Sequence, residues 1–264
     1  MKKIITLAVL AFVSATSFGQ KKTVALTTLS TSRYIDFADT DNNVAAAAAI
    51  STLIGDESFD LTPSLEMVHD AFFKDLKKVF PFKMLDEKTV TSNEAYQQYD
   101  YTTQLFTNKD GEVNEGKAKD VSAKMTEDAI MVYPGYKWMS YASKLSADRF
   151  RPELSMVEIF KNDAEGVLFI DLEYSFVENT LGIGGFTTAS IQSTISFTLY
   201  NKEGEKVIRT FITEKSKKKV PMVKGIPVMK PAKITQLCED ATKRVIAKAE
   251  SKLAKKVKKI LKKF

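Results

Sequence analysis

Histidine and cysteine, two residue types that often carry catalysis or bind zinc, are rare in this 264-residue chain. It has one histidine, His69, and one cysteine, Cys238. These two residues cannot assemble a His/Cys zinc site within one chain, and no Gly-x-Ser-x-Gly element supports a Ser-His-Asp triad that uses His69. A lone histidine beside the apolar face of a helix is more often a partly buried structural residue. We therefore expect no catalytic residue, no metal and no cofactor.

A pair of acids is the strongest remaining candidate for catalysis. Asp171 and Glu173 are two residues apart in a stretch rich in β-branched and aromatic residues. Alternate residues of a strand share a face, and two facing carboxylates can hydrolyse glycosides. Such pairs lie more often on a solvated face. A carboxylate-dependent hydrolase therefore remains an alternative function.

Aromatic residues concentrate in the region from 133 to 141. Tyr133, Tyr136, Trp138 and Tyr141 could together line a pocket for a small ligand. Aromatic clusters belong more often to a core or an interface. A periplasmic small-ligand-binding module is therefore a second alternative function.

Residues 232–264 form the most informative segment. Apolar residues recur there every three or four positions, which predicts one long amphipathic helix. Ten Lys or Arg and one acid lie between Lys243 and Lys263. We expect the first half of the helix to pack on a sheet and its last half to protrude. The residues predicted to contact a membrane or a partner are Lys252, Lys255, Lys256, Lys259, Lys262 and Lys263.

Three interpretations of this basic helix stay open. A basic amphipathic helix can lie on an anionic membrane surface. It can instead dock an acidic partner or a second copy of the chain. In the third interpretation the lysines are solvated and favourable at a helix C-terminus. The charge pattern alone does not choose among the three.

The first 19 residues have the pattern of a secretory signal peptide. Positive charges are followed by an apolar run over residues 4–13 and by small residues at Ser17 and Gly19. The run is too short to span a bilayer, and no cysteine lies next to the cleavage point, where a lipid anchor would be attached. We therefore predict an exported, soluble protein of the periplasm that is not a lipoprotein, with the extracellular space as the alternative. In that compartment nucleic acid is not an expected partner.

The order of the elements indicates how these residues are positioned. Thr23–Leu29 predicts a first strand, and Thr62 followed by Pro63 predicts a capped helix start. Residues 167–177 and 191–200 predict long strands.

Two links complete this order. Asn201–Gly204 predicts a hairpin turn, whereas the glycine-rich residues 181–190 predict a flexible link. The sequence thus predicts an α/β fold, with a mixed sheet, packed helices and a long C-terminal amphipathic helix. We expect a single domain over residues 20–264, with an insertion at about 91–150.

The second half of the chain resembles a family of envelope proteins. In Met156–Gly166 a helix runs into an acidic turn, and the strand Val167–Ile170 follows. Tyr200–Val207 is similar to a family hairpin. These features resemble TolB amino-terminal domains, curli secretion channel subunits and penicillin-binding-protein activators, over roughly Val68–Leu85 and Met156–Leu253. The resemblance implies a non-enzymatic role in envelope assembly or protein–protein contact.

Together these patterns lead to one main functional hypothesis. We expect a non-catalytic periplasmic accessory or scaffold protein of the bacterial cell envelope, which acts through protein or membrane-surface contacts. Its expected partner is an envelope protein or an anionic membrane surface, and a homo-oligomer is compatible with the same charge pattern.

Overall fold

The computed structural model describes residues 22–37, 53, 55–99, 130–139, 151–183, 185–224 and 226–260, with the backbone only at 179–183 and 257–260. The predicted signal peptide, residues 1–19, lies outside these ranges and remains a prediction. Within them the strands are β1 (Thr23–Phe37), β2 (Lys83–Met84), β3 (Ile130–Val132), β4 (Gly166–Ile183), β5 (Phe186–Asn201), β6 (Lys206–Val223) and β7 (Ile226–Pro227). The helices are α1 (Thr62–Lys74), α2 (Glu87–Thr91), α3 (Glu94–Gln98), α4 (Pro152–Phe160) and α5 (Pro231–Ile260), with a 3-10 turn at Leu76–Val79.

The strands form one mixed sheet in the order β2-β1-β4-β5-β6-β7, with β3 paired to β1. β1 runs parallel to β4, and β4, β5 and β6 follow as an antiparallel meander. The predicted α/β class, with a mixed sheet, packed helices and a long C-terminal helix, is confirmed.

Helices cover both faces of this sheet, as the alternation along β4 requires. One set of alternate β4 side chains joins α1 and α5 in the main core, and its members are Leu168, Ile170, Leu172, Tyr174 and Phe176. On the other face, Val167 and Phe169 join a smaller core with residues of α2, α3 and α4. The next residue on that second face is Asp171, where the apolar pattern stops.

The hairpin turn predicted at Asn201–Gly204 is confirmed. Gly204 has a φ of +71°, a conformation that favours glycine. A Cβ at this position would come within 2.2 Å of Leu154 Cδ2 on α4. The guanidinium of Arg151 also donates to the Gly204 carbonyl at 2.5 Å. The turn is therefore held against α4.

Other predicted boundaries differ from the structure. β1 extends to Phe37 instead of ending at Leu29. Most of the predicted flexible link over 181–190 belongs to β4 and β5, which pair almost to their turn. Thr62 is the first helical residue instead of the cap, and its backbone N–H donates to Asp60 Oδ1 at 2.9 Å. The flexible link was predicted from the glycines of residues 181–190, but pairing between β4 and β5 keeps most of this segment in strands.

The predicted protrusion of the last half of the C-terminal helix is wrong as far as Leu253. Seven apolar residues of α5 form its buried side and are at most 7% exposed: Ile234, Leu237, Cys238, Ala241, Val245, Ala249 and Leu253. The reason is the length of the strands beneath. β6 has 18 residues, about 60 Å when extended, whereas the 30-residue helix is about 45 Å long. The sheet is long enough to support the helix.

The described parts of the predicted insertion, within 91–150, contribute to the core. The Tyr96 hydroxyl is buried, donates to the Thr27 carbonyl at 2.6 Å and accepts from the Lys137 backbone N–H at 2.8 Å. β3 pairs with β1 through Ser30 and Val132. These residues therefore tie the segment to the first strand of the sheet.

Candidate interaction surface

The exposed side of α5 lies beside a second basic segment, on β6. Arg244 Nε donates to the Lys215 carbonyl at 2.8 Å, and the Lys217 backbone N–H donates to Asp240 Oδ2 at 2.7 Å. One turn of helix beyond Arg244, the Lys248 ammonium contacts the Glu214 carboxylate. These contacts place the middle of α5 directly against the middle of β6.

Positive charge is therefore concentrated on two elements that contact each other, with the Lys215 side chain on the face of β6 opposite Glu214. On β6, the exposed lysines are Lys215, Lys217, Lys218 and Lys219. On α5, the exposed lysines beyond the Glu214 contact are Lys252, Lys255 and Lys256. We call these seven lysines, with Arg244 and Lys248, the basic surface.

Among the residues that the structure describes, acidic groups do not balance this surface. Glu214 is paired with Lys248, and Asp240 accepts from the Lys217 backbone. Glu250 is the one acid between Arg244 and Lys256. An excess of one sign of charge on neighbouring elements produces a potential that attracts oppositely charged molecules.

The structure describes the side chains of three of the six lysines predicted to contact a membrane or a partner. Lys252, Lys255 and Lys256 are exposed as predicted. Lys259 belongs to α5, but only its backbone is described. Lys262 and Lys263 lie outside the described residues. The lysines of β6 were not predicted to belong to the same surface. Their run is visible in the sequence, but its position depends on how far β6 extends and where α5 crosses it.

Buried polar contacts fix the position of α5 on the sheet. The hydroxyls of Tyr174 on β4 and Thr242 on α5 are 2.7 Å apart, and both residues are buried. At the start of the helix, the Thr235 hydroxyl donates to the Ser58 carbonyl at 3.3 Å. Cys238 between them is fully buried, and this burial raises the pKa of its thiol. The prediction that Cys238 is a small buried residue on a helix is confirmed.

The two acids on β4, Asp171 and Glu173, differ in their surroundings, and Asp171 is not fully solvated. The Ser30 hydroxyl donates to Asp171 at 2.8 Å, and the Ser196 hydroxyl lies 3.4 Å from its second oxygen. Burial raises the pKa of Asp171 to about 6, with a smaller rise from Glu173, while the two serine hydrogen bonds oppose the rise. Glu173 itself is exposed.

A small recess of about 80 Å³ lies beside these two acids. Trp138 and Met139 form part of its wall, together with Ser30 and Ser32. Pockets for small ligands usually have volumes of about 300–1,000 Å³. The recess is therefore small for a sugar substrate.

The aromatic residues predicted to form one pocket are divided in the structure. Tyr136 belongs to the main core and Tyr133 packs against it, whereas Trp138 packs against the smaller core. Tyr141 lies outside the described residues. A larger open cavity of about 640 Å³ occurs elsewhere, and Phe73, Lys77, Lys83 and Glu87 are among its lining residues.

His69 occupies a structural position beside this cavity. Its ring stacks on Tyr133 at a centroid distance of 4.0 Å. Its Nε2 lies 2.8 Å from Glu87 Oε1, and its Nδ1 lies 3.2 Å from Asp70. The Tyr136 hydroxyl donates to the same Glu87 oxygen at 2.9 Å. Glu87 thus joins α1, α2 and the segment after β3.

Replacing Glu87 with alanine should destabilise the protein by about 1–3 kcal/mol, because the buried Tyr136 hydroxyl loses its acceptor. Urea unfolding measures this change. The matched control is Lys88→Ala at the exposed next position, expected within about 0.5 kcal/mol of the parent. Equal effects of the two substitutions would show that the Glu87 contacts contribute nothing.

In the ranges that the structure describes, three or more His, Cys, Asp or Glu side chains nowhere come together as metal ligands would. No helix in them combines the length and apolar character needed to cross a membrane.

No protein-family model matches the chain, and no curated protein matches it. Among solved structures it is similar to protein XCC0632 from Xanthomonas campestris, of the family DUF330, at 16% sequence identity and a TM-score of 0.21. That similarity covers 50% of this chain and 71% of that chain. A TM-score this low does not establish a common fold, and the resemblance to the TolB, curli and activator group stays a prediction.

Proposed function

We propose that the protein is a non-catalytic accessory or scaffold protein of the bacterial cell envelope, and that it binds an acidic partner protein through the basic surface. The observation that supports this proposal is the division of α5 into two sides. Its apolar side is buried on the sheet as far as Leu253, while its lysines lie exposed beside those of β6.

This division favours a protein partner over a membrane. A helix that lies in a membrane interface buries its apolar face among the lipids. In α5 that face already contacts the sheet, so Val245, Ala249 and Leu253 are not available to lipid. The groups of α5 and β6 that are available to a partner are therefore their exposed positive charges. Such a surface selects for complementary charge and geometry.

The test compares charge reversal at two places. One variant carries Lys252→Glu, Lys255→Glu and Lys256→Glu. Its control carries Lys88→Glu, Lys161→Glu and Lys202→Glu, at exposed positions outside the basic surface. The net charge changes equally in both. Full-length protein with each set is crosslinked in the native envelope, and the crosslinked partners are identified and quantified.

We expect an acidic envelope protein to crosslink to the parent and to the control. The crosslinked amount of that protein should be at least tenfold lower with the first variant. The same proteins are also mixed with vesicles of neutral lipid and with vesicles that contain anionic lipid. Flotation of the parent with anionic vesicles, lost in the first variant, would favour the membrane alternative. Equal crosslinking by all three proteins would refute the proposal.

A further inference from the structure

The outer edge of β6 lacks a neighbouring strand along most of its described length. β5 pairs with β6 on one side, whereas on the other side β7 covers only Met222 and Val223. Near Lys215 and Lys217 the edge is contacted by α5 through Arg244 and Asp240. Between Thr210 and Glu214 neither contact is present in the described structure. An edge of this kind presents backbone N–H and C=O groups that can pair with another strand.

The exposed lysines of α5 follow this edge. Asp240 contacts Lys217 and Lys248 contacts Glu214, so the helix advances toward the lower-numbered end of β6. Seven residues are nearly two helical turns, which places Lys255 on the same side of α5 as Lys248. Lys252 lies about one turn beyond Lys248. These two lysines therefore continue the row of positive charge beside Thr210–Glu214.

The opposite face of the same edge carries one exposed aromatic ring, Phe211, with the Arg209 guanidinium 4.6 Å from the ring centroid. Phe211 lies on the face of β6 away from α5, since its neighbour Ile212 is buried toward the main core. Phe211 is 51% exposed. A strand added here would alternate its side chains between the two faces. One set would meet lysines of α5, and the other set would meet the Phe211 ring.

We propose that the β6 edge accepts an extended acidic segment of the partner protein by strand addition. Acidic side chains of that segment would face Lys252 and Lys255, and apolar side chains would face Phe211. This inference rests on the proposed function and specifies how its acidic partner binds. A second copy of the chain fits poorly, because pairing two such edges would bring lysines of the same sign together.

The probes are three synthetic peptides with blocked ends. The first alternates glutamate and valine over seven residues, and the second has the same sequence with every backbone amide N-methylated. The third alternates lysine and valine. Binding to full-length protein is measured by calorimetry, and the site is located by hydrogen exchange. We expect the first peptide to bind and to slow exchange of β6 amides at 210–214, while the other two do not bind.

Charge reversal provides the matched comparison. Lys252→Glu with Lys255→Glu should weaken binding of the first peptide at least tenfold, and Lys88→Glu with Lys161→Glu should leave it unchanged. Circular dichroism verifies that both variants are folded. Equal binding of the N-methylated peptide, or no slowing of exchange in β6, would overturn strand addition. The proposed function would survive that result, since it fails only if crosslinking is insensitive to the basic surface. Concentration-dependent dimerisation in sedimentation, lost with Phe211→Lys, would assign the edge to a second copy and refute the inference.

Discussion

Replacing Leu253 with alanine should lower the free energy of unfolding by about 2–4 kcal/mol. The Leu253 side chain is fully buried in the main core, and removing buried methyl groups loses both their transfer free energy and the packing around them. Leucine and alanine are both good helix formers, so the change reports packing and not helix propensity. Denaturant unfolding followed by circular dichroism measures it.

Lys252 is the matched control for this substitution. It is exposed at the preceding position of the same helix, and Lys252→Ala should change stability by less than about 0.5 kcal/mol. If Leu253→Ala were equally mild, this part of α5 would not pack on the sheet in solution. The helix would then have a free apolar side, and the membrane interpretation would regain its basis.

Replacing Asp171 with asparagine should stabilise the protein at neutral pH, by about 1–2 kcal/mol. The folded pKa of about 6 is higher than the unfolded value of about 3.9. Between these two values the folded protein binds a proton that the unfolded chain does not bind. Ionised Asp171 is therefore unfavourable above pH 6, and its cost disappears as the pH falls toward 4. Asparagine removes the ionisation and keeps an acceptor for Ser30.

The measurement is urea unfolding of both proteins at pH 4, 6 and 7.5. The advantage of Asp171→Asn should be largest at pH 7.5 and close to zero at pH 4. Glu178→Gln, at an exposed acid of the same strand, controls for the loss of one negative charge. A less stable Asp171→Asn protein at pH 7.5 would mean that Ser30 and Ser196 favour the ionised carboxylate more strongly than burial opposes it.

Local patterns in the sequence were sufficient for several elements. The alternation in 191–200 predicted β5, and Asn201–Gly204 predicted its turn, because neighbouring residues determine both. The spacing of apolar residues predicted α5 within a few residues at its start. The class of fold followed from the order of these elements.

Features that depend on distant residues were not predictable in this way. The extension of β1 to Phe37 depends on pairing with Phe176, far along the chain. Burial of Leu253 depends on the length of the sheet, and burial of Asp171 depends on its neighbours on adjacent strands. The basic surface was half predicted, because its α5 lysines share one helix whereas its β6 lysines join them only through tertiary contact.

The parallel pairing of β1 with β4 has a consequence for the timing of folding. Ser30 and Asp171 are hydrogen-bonded to each other although they are 141 residues apart. Contacts between such distant residues form slowly, whereas the β4–β5 and β5–β6 hairpins close locally. The N-terminal strand, synthesised first, therefore waits for more than half of the chain before its parallel partner exists. For a chain predicted to leave the cytoplasm, β1 would be synthesised well before it can form this pairing.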